Sequence, residues 1–451
     1  MPPTQKQEGH TAMLKKAVLG WPQIAGLGIS LVIAGQFSGW NFGLADNGWA
    51  NMLLATLLMA ALSCGLALCI SELSTAMPHA GGVFAYAQSA FGPFVGYLVG
   101  SACALALTIG TGAAATFVAS YMESVFGFGG WPVKVALFAL IIGIHIRGVG
   151  EALGVTLLAG AVAAVTLLVF GGAMLPQLDT ANLLGAGGFS ESVSLHGVFA
   201  CVPFAIWMFI CIEQVSSAAE EAADPGRAMS RGILAAVATL LLTAITVLIC
   251  APGAAGVQVV GTAADPLYAA MTHSGGYDAS SWLARLVGIG AICGLLATFF
   301  SVVYSASRQL FALARDGYLP AALARTNRRG SPHVALQSLA AIGLPLTLVS
   351  PEKLLLCVVL LLCSCHLFLF AAYIRMRRSH AHLPRPFRLP GGPLIAGLGM
   401  LLTLVVIAAC FQLEIEMLSA LGLLAVALVI NYLVRAARVA KPIVSENPDH
   451  V

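Results

Sequence analysis

Residues 26–43 read GLGISLVIAGQFSGWNFG. The stretch lies inside an apolar run of the length that a helix needs to cross a bilayer, about 20 residues. Glycine, serine and asparagine are poor helix formers, and here they fall near the middle of the run. The stretch therefore predicts a helix that is interrupted at mid-membrane, where Gly35 and Gly39 would let a ligand approach the backbone closely.

A second weakened helix is predicted at residues 203–214, which read PFAIWMFICIEQ. A carboxylate, Glu213, lies near mid-depth in this run. The two stretches occupy corresponding places if the first ten spans form two five-helix halves, and such a pair is typical of inverted-repeat transporters with a midplane site. The alternative is that both helices are continuous, because membrane helices commonly tolerate glycine.

The composition predicts a membrane protein. Hydrophobic residues make up 59% and charged residues 9% of the 451 residues, whereas a soluble domain carries about 25% charged residues. The apolar runs do not show the alternation of a membrane β-barrel, so the predicted fold class is an all-α integral membrane protein with twelve transmembrane helices. The predicted spans are 22–46, 50–76, 95–121, 131–146, 152–175, 197–217, 232–252, 285–306, 334–350, 353–374, 392–411 and 416–435.

The basic residues predict the orientation of the chain in a cytoplasmic (inner) membrane. If the N-terminus lies inside and the spans alternate, all of the 22 lysines and arginines except Lys134, Arg285 and Lys353 fall on the cytoplasmic side. This distribution follows the positive-inside rule, and it predicts that both termini are cytoplasmic. The expected domains are a cytoplasmic tail at 1–20, a transmembrane domain at 21–437 and a second cytoplasmic tail at 438–451.

Few ionisable residues fall within the spans. A buried ionisable residue is a functional hypothesis by default, and Glu213 would bind a substrate amine, carry a proton or brace the first span. An intramembrane enzyme needs several converging polar groups, but Glu213, His145 and His366 are widely spaced, so the sequence does not favour an enzyme. Asp46 and Glu72 lie near the ends of their spans, where solvated or helix-capping roles are expected.

No cofactor or metal site is predicted. The eleven cysteines fall inside apolar runs, which favours free thiols. Cys363, Cys365 and His366 are close in sequence, but helical positions two apart point to different faces. The net charge of +3 reflects anchoring loops rather than nucleic-acid binding, and no phosphate-binding loop of the ATPase type occurs. The expected partners are a small amine or amino acid and the lipid bilayer.

Four groups of motifs follow one another along the chain. They are PHAGGVFAY at 78–86 after Glu72-Leu73, EEAADPGR at 220–227, SVVYSASR at 301–308 with ARDGYLP at 314–320, and RPFRLPG at 385–391. As an ordered set they resemble the amino acid–polyamine–organocation superfamily. Within that superfamily, FSGWNFGLA at 37–45 most resembles the ethanolamine permeases.

The resemblance implies a five-plus-five inverted-repeat core of the LeuT-like type, with two additional helices and with helices 1 and 6 discontinuous. It also implies alternating access, with the first break at Ser38 and Gly39 and the second at residues 209–213. The implied units are repeat one at about 21–175, repeat two at about 196–375 and the two additional helices at about 392–437.

The breaks would form the binding site, because unwound helix ends offer amide groups to a carboxylate and carbonyl groups to an ammonium. Aromatic rings beside the breaks would also attract a cation. The predicted substrate-binding residues are Gln36, Phe37, Ser38, Gly39, Trp40, Asn41, Trp207, Phe209, Ile210, Cys211 and Glu213. Glu213 and Ser301 are the candidates for gating or ion coupling, although a buried serine usually bonds to its own helix.

Two departures from the superfamily bear on the function. Cys211 stands where relatives usually have glycine, and the fifth span contains no lysine, so the choice of proton or sodium as coupling ion stays open. We expect a secondary transporter, with ethanolamine as the first substrate hypothesis. The alternatives are an amino acid permease or exchanger and a nutrient sensor with a transporter fold.

Overall fold

The computed structural model describes residues 19–436, apart from 80, 149 and 185–187. Of the two predicted tails, only Leu19 and Gly20 lie within the described residues. The described chain is helical, and its only β contact is an isolated parallel bridge between Leu19 and Ala222. The chain is therefore all-α, as the sequence predicts.

The α-helices follow the order of the predicted spans. They are α1 (Trp21–Val32), α2 (Ala34–Phe37), α3 (Leu44–Ala76), α4 (Val83–Phe91), α5 (Pro93–Phe126), α6 (Gly130–Arg147), α7 (Gly150–Met174), α8 (Thr180–Leu184), α9 (Gly188–Ser192), α10 (Leu195–Trp207), α11 (Pro225–Ala255), α12 (Val257–Thr262), α13 (Pro266–His273), α14 (Trp282–Arg315), α15 (His333–Leu346), α16 (Pro351–Ser379), α17 (Gly392–Ala409) and α18 (Ile415–Ala436). The 3-10 helices are Trp40–Gly43, Leu175–Gln177, Ile212–Glu221, Ala321–Ala324 and Cys410–Gln412.

Local sequence explains where several long helices begin. The side chain of Asp224 accepts a hydrogen bond from the Arg227 amide, and Pro225 occupies the first turn of α11. Ser350 and Pro351 begin α16 in the same way. An oxygen-bearing cap satisfies an unpaired amide, and proline is tolerated in the first turn because it has no amide proton to lose.

Ten described helical segments are long and apolar enough to cross a membrane, and each overlaps a predicted span. Some of them, such as Leu195–Glu221, join an α-helix to a neighbouring 3-10 helix. The other two predicted spans, 22–46 and 334–350, correspond to the shorter apolar helices Trp21–Val32 and His333–Leu346. The chain is therefore a multi-pass helical membrane protein. The count of twelve spans remains a prediction.

The boundary between the first two spans differs from the predicted one. The sequence predicts runs at 22–46 and 50–76, whereas α2 ends at Phe37 and α3 already begins at Leu44. Within α3, Gly48 has φ 78° and ψ 164°, which produces a kink rather than a new helix. Hydropathy does not show where the backbone changes direction. The predicted run 22–46 therefore includes residues of both α1 and α3.

Burial separates the centre of the bundle from its edge. The most apolar windows of α5, α14 and the segment Leu195–Glu221 are each 78% buried, whereas that of α18 is 0% buried. α18 therefore lies at the lipid-facing edge, and the central elements are the ones able to enclose a site. The side chains of Tyr97 and Asn431 connect α18 to α5 through a hydrogen bond of 2.9 Å.

The pairing of the central helices repeats between the two halves of the chain. α1 packs on α11, and α10 packs on α3. Likewise α5 packs on α16, and α14 packs on α7, while α5 and α14 also pack on each other. Each of these contacts thus has a counterpart in which the two halves of the chain exchange roles.

Glu72 is fully buried, so the expected solvated or capping role is wrong. Its Oε1 accepts hydrogen bonds from Arg377 Nε at 3.1 Å and Arg385 Nη1 at 2.9 Å. Its Oε2 accepts from the Tyr373 hydroxyl at 2.7 Å and the Leu389 amide at 2.9 Å. The carboxylate therefore ties α3 to α16 and to the segment before α17, which sequence spacing alone does not reveal.

The substitution Glu72→Gln should destabilise the fold, because it leaves two guanidinium groups without their counter-ion. Breaking a buried ion pair costs about 3–5 kcal/mol, so the melting temperature of the purified protein in detergent should fall clearly. Glu416→Gln is the matched control, because Glu416 is exposed at the start of α18. Equal melting temperatures for the two variants would contradict a stabilising role for the cluster.

Candidate functional site

The first helix ends within its apolar run. α2 ends at Phe37, Ser38 is extended with φ −155° and ψ 155°, and Gly39 has φ 97°. A positive φ of this kind is readily adopted by glycine only. The chain then continues as the 3-10 helix Trp40–Gly43.

The second region of irregular backbone follows Trp207, where α10 ends. Cys211 has φ 76° and is the one residue other than glycine with a positive φ among those the structure describes. Ile212–Glu221 continues as a 3-10 helix of ten residues, although 3-10 runs longer than three or four residues are uncommon and often mark functional hinges.

The two irregular regions contact each other through Trp207. Its indole Nε1 donates a hydrogen bond to the Ser38 carbonyl at 3.0 Å. Its own carbonyl oxygen lies so close to Gly35 that a Cβ there would overlap it. A Cβ on Gly39 would likewise lie 2.5 Å from the indole nitrogen. The two glycines are therefore required by the close approach of the two chains.

Side chains from neighbouring helices pair the carbonyl groups around the first irregular region. Thr298 Oγ1 on α14 donates to the Ser30 carbonyl at 2.7 Å and accepts from the Ala34 amide at 3.2 Å. The Tyr121 hydroxyl on α5 donates to the Phe37 carbonyl at 2.9 Å. An unpaired backbone group in hydrocarbon costs several kcal/mol, so these bonds allow the helix to end here.

A cavity of about 40 Å³ lies beside the two irregular regions. A water molecule needs about 10–15 Å³ by this measure, so the cavity has room for a few water-sized groups, which is the scale of a small solute. Its lining is almost wholly apolar. The lining residues are Leu31, Val32, Ala34, Gly35, Ala106, Leu107, Gly110, Ala114, Phe117, Trp207, Ile210, Cys211, Thr298, Val302 and Val358.

The residues predicted to bind substrate fall into two groups. Trp207, Ile210 and Cys211 line the cavity. The others are buried around it without lining it, and these are Gln36, Phe37, Ser38, Gly39, Trp40, Asn41, Phe209 and Glu213. Their role in binding stays a prediction.

Two of the polar residues in the second group bond to distant backbone. Gln36 Nε2 donates to the Leu240 carbonyl on α11 at 2.8 Å. Asn41 Nδ2 donates to carbonyls of the segment 260–263, including that of Val260 at 3.0 Å and that of Ala263 at 2.9 Å. These amides hold the chain on either side of the first irregular region against its neighbours.

Glu213 has a partner that its sequence spacing did not suggest. Its Oε2 lies 3.0 Å from Nε2 of His366 on α16, and both side chains are 1% exposed. The expectation that Glu213 and His366 are separate is therefore wrong, because the fold brings α16 against the end of α10. Ser301, the other coupling candidate, is buried on α14 one turn from Thr298.

Sequence reasoning missed much of the cavity wall. Ala106, Gly110 and Ala114 line it from α5, and their four-residue spacing places small side chains on one helix face. That spacing is a signal the sequence contains. No sequence pattern marks Phe117 and Thr298 as lining residues. They face the cavity because of the way α5 packs against α14.

Comparison with known proteins agrees with this geometry. The profile of the family described as amino acid permease matches residues 19–433. The chain belongs to this family. Membership relates the chain to membrane transporters, and the superfamily suggested by the sequence motifs is confirmed.

Individual relatives of the permease are distant. An uncharacterized transporter of Rhizobium meliloti is 29% identical over 319 residues, which cover 67% of this chain and 66% of that protein. The branched-chain amino acid permease BcaP of Bacillus subtilis is 28% identical over 47% of this chain and 45% of its own length. BcaP of Lactococcus lactis is 26% identical over 77% of this chain and 80% of its own length. The permease thus spans just under two thirds of the first relative and less than half of the second.

The substitution Gly35→Ala should separate the two irregular regions, because its Cβ would overlap the Trp207 carbonyl oxygen. Backbone must then move, so we expect a lower melting temperature and loss of ligand-induced stabilisation. Gly143→Ala on α6 is the matched control, because its Cβ would meet no atom within 4 Å. Wild-type stability and binding in Gly35→Ala would show that the close contact is dispensable.

Proposed function

We propose that the permease is a secondary transporter that carries a small amino acid with an apolar side chain across the cytoplasmic membrane by alternating access. The observation that carries this proposal is the apolar cavity beside the two irregular regions. Burial of apolar surface is worth about 25 cal/mol per Å², so an aliphatic side chain gains from such a wall. A wholly polar solute gains nothing from it.

The main-chain groups beside the cavity support binding of the amino acid backbone. α10 ends at Trp207, so its C-terminal carbonyl groups give this end a partial negative charge that suits an ammonium. The 3-10 helix that begins at Ile212 presents amide groups that suit a carboxylate. Cys211 lies between these two ends and lines the cavity. A zwitterion therefore finds a partner for each of its charges.

The repeated helix pairing supports alternating access. The contacts of α1 with α11 and of α10 with α3 are equivalent if the two halves are related by an internal symmetry. Transporters of this kind change conformation when one repeat rocks against the other around a fixed site. The proposed repeats are 21–175 and 196–375, with α17 and α18 added outside them and both termini in the cytoplasm.

Ethanolamine is the second candidate substrate, and it rests on residues 37–45. That stretch resembles the ethanolamine permeases, but its residues do not line the cavity. Ethanolamine also lacks a carboxylate, so the amide groups beside Ile212 would have no partner in it. The names of the two branched-chain relatives favour the amino acid instead.

Thermal unfolding of the purified permease with a panel of ligands tests the choice. Any ligand that binds only the folded state raises its apparent stability. The gain is about 2.7 kcal/mol when the ligand concentration is 100 times the dissociation constant. We expect alanine, valine or leucine to raise the melting temperature, and ethanolamine to leave it unchanged. Stabilisation by ethanolamine alone would reverse the assignment, and stabilisation by no member of the panel would contradict both candidates.

The substitution Gly110→Ala should make the permease more selective for small side chains. The added Cβ would lie in the cavity wall at 3.9 Å from Val358 Cγ2, an ordinary contact that requires no movement. We expect counterflow of leucine to fall more than counterflow of alanine in proteoliposomes. Gly143→Ala again serves as the control, and an equal effect on both amino acids would argue that this cavity does not hold the side chain.

A further inference from the structure

A carboxylate and an imidazole face each other inside the membrane domain. Glu213 Oε2 and His366 Nε2 are 3.0 Å apart, and each side chain is 1% exposed. The other carboxylate oxygen, Oε1, accepts a hydrogen bond from Gln214 Nε2 at 3.0 Å. Within the described part of the chain, neither ring nitrogen of His366 makes a hydrogen bond, and neither does Glu213 Oε2. The imidazole and the carboxylate therefore meet as a close buried pair whose facing atoms have no other partner.

Residues close to Glu213 in the chain line two cavities. Cys211, two residues before Glu213, lines the cavity proposed for the substrate. Gln214, the residue after it, lines a second cavity of about 20 Å³ together with Glu221 and Arg308. Those two residues form an ion pair of 3.0 Å on the side that the charge pattern predicts to be cytoplasmic. Along the chain, Glu213 thus lies between a residue that lines the first cavity and one that lines the second.

The elements around the pair contribute few other charges. The thiols of Cys103 on α5, of Cys211 beside the cavity, and of Cys363 and Cys365 on α16 lie within electrostatic reach of Glu213. α1 and α17 contain no ionisable residue in their described ranges.

The other ionisable groups on the packed elements contact residues outside the pair or lie near helix ends. The Tyr121 hydroxyl on α5 donates to the Phe37 carbonyl, Glu123 lies in the last turn of α5, and Glu352 and Lys353 lie in the first turn of α16. On α4, the Tyr86 hydroxyl lies beside Ser216. On α3, Glu72 is paired with Arg377 and with Arg385. On α11, Arg227 and Arg231 lie in the first two turns, at its predicted cytoplasmic end. Glu213 and His366 therefore form the titratable centre of this region.

The charge of the pair depends on a single proton. With a carboxylate and an imidazolium, or with both groups neutral, the pair has no net charge. Removal of one proton leaves one negative charge in an apolar enclosure, and a buried charge without a partner is strongly unfavourable. Release of the proton therefore requires water or a cation to reach the pair, and so it requires a cavity to open.

We propose that Glu213 and His366 together bind one transported proton, so that the permease is a proton symporter. The inference rests on the proposed transport function and adds the coupling ion and its site. The proton binds between His366 Nε2 and Glu213 Oε2 from the outside-open state, stays while the site is closed, and leaves past Gln214 to the cytoplasm. One proton is bound and one is released in each cycle.

The test uses the full-length permease in proteoliposomes with radiolabelled valine as the probe. Two assays run in parallel: accumulation driven by an inward proton gradient, and counterflow at equal pH on both sides. The variants are Glu213→Gln and His366→Gln. His145→Gln is the matched control, because His145 is also a buried histidine in a membrane helix, with Nδ1 2.8 Å from the Ile141 carbonyl.

We expect the wild type and His145→Gln to accumulate valine several-fold above the external concentration and to acidify the lumen, as reported by a trapped pH-sensitive dye. Both His366→Gln and Glu213→Gln should lose accumulation and acidification, and His366→Gln, whose side chain is not among the predicted substrate-binding residues, should keep counterflow. Accumulation that persists in both variants would overturn the inference, while counterflow would leave the transport function standing. If His366→Gln lost counterflow together with accumulation, the pair would be assigned to bracing or substrate binding, and proton coupling at this pair would be overturned.

A wild type that shows counterflow but no gradient-driven accumulation would overturn proton coupling alone. A wild type without counterflow of valine would instead contradict the proposed function, and with it the inference that rests on it. The two failures are therefore distinguished in a single preparation.

Discussion

The central constraint on this protein is that a membrane interior offers no water to an unpaired peptide group. The chain nevertheless leaves regular helix geometry at Ser38 and again at Cys211, both deep in the bundle. The structure meets the constraint by placing the two irregular regions against each other, so that Trp207 donates to the Ser38 carbonyl. Thr298 and Tyr121 pair the neighbouring carbonyl groups. The site depends on this mutual satisfaction.

The same principle governs the buried charges. Glu72 has four donors around it and connects three parts of the fold. Glu213 has only Gln214 and His366. Two guanidinium groups compensate the charge of Glu72, whereas Glu213 faces an imidazole, a group that can take up and release a proton. The proton-binding role that we propose for Glu213 rests on this difference between the partners of the two buried glutamates.

The sequence predicted the two irregular regions of the candidate site, but it did not predict most of the residues that line the cavity. The glycines and polar residues of 26–43 and the carboxylate in 203–214 marked the two regions where the helices become irregular. Trp207, Ile210 and Cys211 line the cavity, and the sequence named them. Val302, Val358 and Phe117 line it as well, yet they look like any other apolar residue of a membrane helix. Their role follows from which helix face turns inward, and that is set by packing between helices remote in sequence.

The sequence by itself determined that the protein lies in lipid, that its fold is all-α and which family it belongs to. Composition, the length of the apolar runs and the order of the motifs are properties of the chain alone. It also located the weak points of the first and sixth spans, because helix propensity is local. Only the tertiary structure decided that Glu213 meets His366 and that Glu72 meets Arg385, since each pair is separated by long stretches of chain. Contacts of that kind depend on how the helices pack, which local residue patterns do not encode.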